Sequence, residues 1–153
     1  MQSLELKIPP IVLVILFTII MWMVSLATPT VSFYFSWSNQ LASILGVAGI
    51  IISTLGVIAF RRGNTTVDPR HPDQSSRLIN GGVYRVSRNP MYLGFLFVLL
   101  AWAVYLSNGA SFLPLPLFVV YMNRFQIIPE ERFMMENFGV EYRSYAERVR
   151  RWL

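Results

Sequence analysis

The stretch SRNPMYLGF, Ser87–Phe95, sets a guanidinium (Arg88), an amide (Asn89), a proline (Pro90) and a phenol (Tyr92) directly in front of a long apolar segment. One positive charge is enough to mark the boundary of a membrane anchor. This corner adds hydrogen-bond donors and an aromatic ring, the groups that hold a polar ligand. Upstream, Gly81 and Gly82 allow backbone conformations closed to other residues, including close approach to a ligand. Around them Leu78, Ile79, Val83, Tyr84 and Val86 give an otherwise polar loop something to bury. Downstream, Pro129 precedes the adjacent acids Glu130 and Glu131, the pattern of a helical first turn with proline leading and carboxylates at the positive dipole end. Arg124 stands at the membrane end of an apolar run, where a charge either snorkels to the interface or, if it points inward, marks a functional site. His71, in DPRHPD, reads as a solvated loop residue rather than a base. With one histidine, no cysteine and no ligand cluster beyond the glutamate pair, no metal site is expected.

The elements that must position these residues are written in the distribution of charge. The chain has 153 residues, enough for one domain. It is 54% hydrophobic with a mean hydropathy of +0.49, and 14% of it is charged, against about 25% in soluble domains. Ile8–Phe60 is a charge-free span of 53 residues and Asn89–Asn123 one of 35. A crossing takes about 20 apolar residues, so each block has room for two helices and a turn. The apolar runs are Pro9–Ala27, Leu41–Phe60, Met91–Leu106 and Leu113–Ile128. The fold class expected is therefore an all-α integral membrane protein of about four transmembrane helices, followed by a carboxy-terminal cytoplasmic amphipathic helix. The first run is too long, and its positive flank (Lys7) too slight, for a cleaved signal peptide. Between the first two runs Phe33, Tyr34, Phe35 and Trp37 suit an interfacial aromatic belt, and SNGAS between the last two is a tight-turn signal.

The formal net charge of +5 comes from 12 arginines and Lys7 against eight acids. Apolar runs bound this charge, which disfavours nucleic acid as a partner. Residues 61–88 hold six arginines and the tail from Arg124 holds six more, whereas the two opposite turns carry no charge. By the positive-inside rule both termini, the central loop and the tail face the cytoplasm, the membrane expected being the cell (inner) membrane, and the two charged segments can meet. The central loop, rich in Gly, Pro, Asn, Asp and Ser, is longer than a structureless connection usually is; it is a plain turn before the third helix or one wall of a site. In the tail, Met134, Phe138, Tyr142, Tyr145, Val149 and Trp152 recur at helical spacing. Spacing leaves open whether this helix is a surface anchor or a lid that presents Glu130 and Glu131 to a pocket. Gly94 would permit a close helix approach.

LINGGVYRVSRNPMYLG, followed across a hydrophobic hairpin by PEERFMMENFGVEYRSY, resembles the isoprenylcysteine carboxyl methyltransferase family and its relatives, the membrane phospholipid methyltransferases and their bacterial homologues. The resemblance runs from about Thr65 to Leu153. It implies one membrane methyltransferase domain over residues 1–153: two helices in 1–60, a cytoplasmic cofactor loop in 61–90, a hairpin in 91–128 and a tail helix in 129–153. It further implies S-adenosyl-L-methionine as cofactor and, as substrate, a lipophilic or prenylated acceptor such as an isoprenylcysteine carboxylate or a lipid amine. Carried over residue by residue, Leu78, Ile79, Gly82 and Tyr84 would line the cofactor, and Arg88, Asn89, Pro90 and Tyr92 would clamp it. Glu130 would hold its charged methionine end, with Glu131 in support. Arg88, Arg124 and Glu130 would serve the reaction itself. Two positions depart from the family: Asn89 stands where histidine is frequent, and Gln126 where the eukaryotic enzymes have a substrate arginine, with Arg124 half a turn away. Two other readings compete: an NADPH-dependent membrane reductase of steroid-reductase type, and a non-catalytic scaffold whose basic tail binds membrane lipid.

Overall fold

A computed structural model describes residues 5–63 and 78–153. Helix α1 is Pro10–Ala27, α2 Ser38–Arg62, α3 Pro90–Leu106, α4 Pro114–Met122 and α5 Ile128–Arg148, and no strand is formed among the described residues. His71, with Asp68 and Asp73, lies outside those residues. Prolines open α1, α3 and α4, where the missing N–H has no intrahelical partner to lose and the fixed φ already suits the helix. Arg61 and Arg62 close α2 at its negative dipole end.

The surface is the clearest sign of a bilayer. Ile11, Ile15, Leu16, Ile19 and Met23 of α1 are exposed, as are Ile44, Val47, Ile50 and Ile51 of α2. Exposed apolar area on this scale is tolerable only where the solvent is itself apolar. Among the described residues three helical runs are long and apolar enough to cross a membrane, and α3 is a shorter apolar helix beside them. The chain is an all-helical integral membrane protein.

Helix α3 is the centre of the bundle. Its Tyr92, Leu99 and Ala103 are buried with Leu13 and Met21 of α1 and with Phe118 and Met122 of α4. Against α2 it packs backbone to backbone. A Cβ on Gly49 would stand 2.6 Å from the Gly94 carbonyl, and one on Gly94 would strike the Gly49 carbonyl and the backbone and hydroxyl of Ser53. The Ser53 hydroxyl donates to the Met91 carbonyl at 2.9 Å across the same seam. At the uncharged end Asn108, fully buried, ties the two hairpins together. Its Nδ2 donates to the Thr28 carbonyl at 2.7 Å, and its Oδ1 accepts from the backbone N–H groups of Ala110 and Ser111.

The first two runs and the hairpin form where expected, within a few residues. The tail differs in two ways. Pro129 does not begin a separate helix: the chain stays helical from α4 into α5 through a wide π-turn, Asn123–Ile127. A proline cannot bond the carbonyl four residues back, and that carbonyl, of Phe125, instead accepts from the Leu6 N–H at 3.0 Å. The membrane-spanning part of this run is its charge-free portion, up to Asn123; the charged remainder belongs to the end of the bundle that carries the arginines. Nor is the tail one helix to Leu153. Gly139 takes a left-handed φ of 47° inside α5, and after Arg148 the chain turns extended at Val149.

Candidate active site

Helix α5 packs against the end of α2 and the segment Leu78–Tyr84 rather than lying free on a surface. Its Tyr142 and Tyr145 are buried with Tyr84 and packed by Phe60, Leu78, Ile79 and Met134. The break at Gly139 makes this possible, because it redirects the last turns of α5 under the Gly82–Arg85 3₁₀ turn. Tyr145 locks the arrangement by donating from its hydroxyl to the Tyr84 carbonyl at 2.7 Å. Gly82 has a φ of 59°, the left-handed conformation that glycine adopts without strain.

Between these elements lies a cavity of about 80 Å³. Of the residues singled out in the sequence, Leu78, Ile79, Tyr84, Arg88, Asn89, Tyr92, Glu130 and Glu131 line it. Leu78 and Ile79 also wall a wider cleft of about 620 Å³, and this second space takes in Gly81 and Gly82. Pro90 is buried as the first residue of α3 and turns the chain at the corner without lining the cavity. Arg124 is elsewhere: it pairs with Glu5 at 3.3 Å, which also meets Arg132 at 3.6 Å, and it lies over the Phe125 ring. Gln126 is buried and donates to the Ile8 carbonyl at 2.8 Å, outside the cavity lining.

The Arg88–Tyr92 corner meets each member of the acid pair through a polar contact. The Tyr92 hydroxyl donates to Glu130 Oε1. Arg88 Nη2 pairs with Glu131 Oε1 at 3.0 Å, while its Nη1 donates to the Ala146 carbonyl at 3.3 Å. Burial pushes the Glu130 carboxyl up to about 8; the Tyr92 hydrogen bond opposes this shift and the Glu131 charge adds to it. Burial likewise holds the Tyr84, Tyr142 and Tyr145 phenols above their ordinary value, Tyr145 at about 12. They are neutral hydrogen-bonding groups and aromatic faces at physiological pH, not bases. Two buried polar atoms in this lining, Tyr84 Oη and Arg88 Nε, have no hydrogen-bond partner among the described residues. Unpaired buried donors are costly, so a cavity that keeps two is suited to a ligand bearing acceptors.

Sequence reasoning missed part of the lining. Phe60, Met91, Met134, Tyr142 and Tyr145 also face the cavity. The spacing of Met134, Tyr142 and Tyr145 had marked an apolar face without saying what it would cover. Arg151, past the end of α5, was not among the expected site residues: helical spacing offers it Glu147 as a partner, but the helix stops at Arg148. Arg151 instead grips Glu131 with two hydrogen bonds, Nε to Oε1 at 3.0 Å and Nη2 to Oε2 at 2.6 Å.

A bundle of membrane helices with a polar, aromatic-lined cavity at its arginine-rich end defines a class of small all-helical integral membrane proteins. Within that class the chain matches the phospholipid methyltransferase family over residues 37–141, and it belongs to that family. Protein-S-isoprenylcysteine O-methyltransferase A of Arabidopsis thaliana is 35% identical over 116 residues, covering 74% of this chain and 57% of the relative. The Saccharomyces cerevisiae protein-S-isoprenylcysteine O-methyltransferase is 27% identical over 124 residues, covering 76% of this chain and 51% of the relative. An uncharacterized protein of Haemophilus influenzae is 46% identical over 63 residues, which are 41% of this chain and the whole of that protein. The chain thus spans about half the length of the isoprenylcysteine methyltransferases it matches. No solved structure matches it.

Proposed function

We propose that this chain is an S-adenosyl-L-methionine-dependent methyltransferase acting on a lipophilic acceptor at the cytoplasmic face of its membrane. The observation that carries the reading is the joining of the Arg88–Tyr92 corner to Glu130 and Glu131 around one cavity. The cavity's chemistry suits this cofactor. Glu130 has no cationic partner among the described residues and would receive the amino group. The orphaned Arg88 Nε and Tyr84 Oη would donate to carboxylate or hydroxyl oxygens, and the tyrosine rings offer faces to positive charge. The enclosed 80 Å³ suits a small charged end, with the adjoining cleft toward Gly81 and Gly82 left for the nucleoside. When bound, the cofactor supplies an activated methyl group. What the chain itself contributes is alignment, worth about 7–11 kcal/mol when donor and acceptor are held at attack distance. The arginines at the same end support a cytoplasmic orientation.

Thermal unfolding of the full chain in detergent, with and without ligand, tests the reading. S-adenosylhomocysteine is expected to raise the midpoint by several degrees, as occupied sites do by mass action, and NADPH to leave it unchanged. Stabilisation by NADPH alone would transfer the site to the reductase reading. Methyl transfer from labelled cofactor to a total lipid extract then identifies the acceptor class.

A further inference from the structure

After Arg148 the chain leaves α5 and passes the corner as a strap, two of whose carbonyls and two of whose side chains are engaged there. The Arg150 carbonyl accepts from the Arg88 N–H at 3.0 Å. The Arg151 carbonyl accepts from Asn89 Nδ2 at 3.0 Å and from the Ser87 hydroxyl at 3.4 Å. Trp152 Nε1 donates to Asn123 Oδ1 at 3.0 Å, which ties the strap to the π-turn that precedes the acids. Asn89 therefore spends its side chain on the strap rather than on capping α3.

The Arg151 guanidinium completes this arrangement. Glu130 and Glu131 are adjacent in sequence and both line the cavity. Two like charges so close would compete for one cation, and a ligand amine could settle on either. Arg151 removes the ambiguity. Its planar fork takes both oxygens of Glu131, the geometry in which arginine outperforms lysine, while Arg88 binds the same carboxylate from the corner side.

We propose that Arg151 is a positioning residue: by committing Glu131 to an arginine pair, it leaves Glu130 as the carboxylate that receives the cationic end of the ligand. This rests on the methyltransferase reading above. Glu131 is then a buttress, and the strap is part of the binding site although it touches no ligand.

The test is calorimetric titration of the purified full chain with two probes. S-adenosylhomocysteine carries the amino-acid end; 5′-methylthioadenosine lacks it. Arg151→Met is expected to weaken S-adenosylhomocysteine about tenfold while methylthioadenosine stays within about twofold, because the damage is confined to the charged end. Adding Glu131→Gln to Arg151→Met removes the competing charge and is expected to recover most of the loss. Arg151→Lys, which keeps the charge without the fork, is expected to lose about threefold for the first probe and nothing for the second; it carries the test if the methionine variant does not fold. Equal loss for both probes, or no loss for either, overturns the proposal, since a merely structural strap would not discriminate between them. If the unaltered chain binds neither probe, the methyltransferase reading fails first and this inference falls with it.

Discussion

Glu130→Gln is expected to abolish useful cofactor binding while leaving the fold intact. Burial holds the Glu130 carboxyl up to about 8, so in the free protein at pH 7 it is mostly protonated. Glutamine is nearly its isostere in that state, and the Tyr92 hydroxyl still finds an acceptor there. The thermal midpoint of the free protein should hardly move. Binding an ammonium group, by contrast, needs the anion. Loss of that charge pair in a water-poor cavity is expected to weaken S-adenosylhomocysteine a hundredfold or more, about 2.7 kcal/mol. The pH dependence has a definite sign. The proton must leave Glu130 for the cation to bind, so affinity should rise from pH 6 to about 8, at most tenfold per unit, and then level off. In the glutamine variant that slope should vanish. The stability of the free protein runs the other way: a raised carboxyl favours the folded state at low pH and loses that contribution as pH rises through about 8. Calorimetric titration across pH 6–9 reads the first effect and thermal unfolding the second. A glutamine variant with unchanged affinity would remove Glu130 from the site.

The second large effect is on the fold. Gly94→Val is expected to cost about 3 kcal/mol or more, since the added carbons meet backbone on α2 that has nowhere to go. Because α3 carries the corner at its first turn, helix separation would also unseat Tyr92 from Glu130. Gly46→Ala is the control. Its added Cβ would sit 3.7 Å from that of Ala101, an ordinary contact, so the thermal midpoint should be unchanged. Similar midpoints for the two variants would mean that the α2–α3 seam is looser than its geometry.

What could be read beforehand follows a physical line. Spans are set by hydrophobicity over some twenty residues, a local property, and α1 and α2 formed within three residues of the apolar runs Pro9–Ala27 and Leu41–Phe60. The corner stood out because its chemistry is excessive for an anchor, whereas the acid pair read alone as an ordinary helical first turn and was tied to the corner by the family resemblance. The course of α5 was not. Whether Pro129 starts a helix or bends one depends on a distant N–H, that of Leu6, which takes over the Phe125 carbonyl. Gly139 breaks the helix inside a stretch whose apolar spacing continues on both sides, and that continuity hid the break. Arg151 was hidden for the same reason as Leu6: its partners, Glu131 and the Ser87–Asn89 corner, are joined to it only by the finished fold.

The unbroken run from Pro114 through the π-turn to Phe138 is roughly 37 Å long at helical rise. It works as a stiff lever with one end in the far leaflet and the twin carboxylates near the other. Lipids with longer or shorter tails must tilt such a lever, and its tilt is the spacing between the acids and the corner. Turnover in reconstituted vesicles is therefore expected to peak at one acyl-chain length and decline on either side. Under the proposed function, host membrane thickness would thus set the pace of methyl transfer without any dedicated effector.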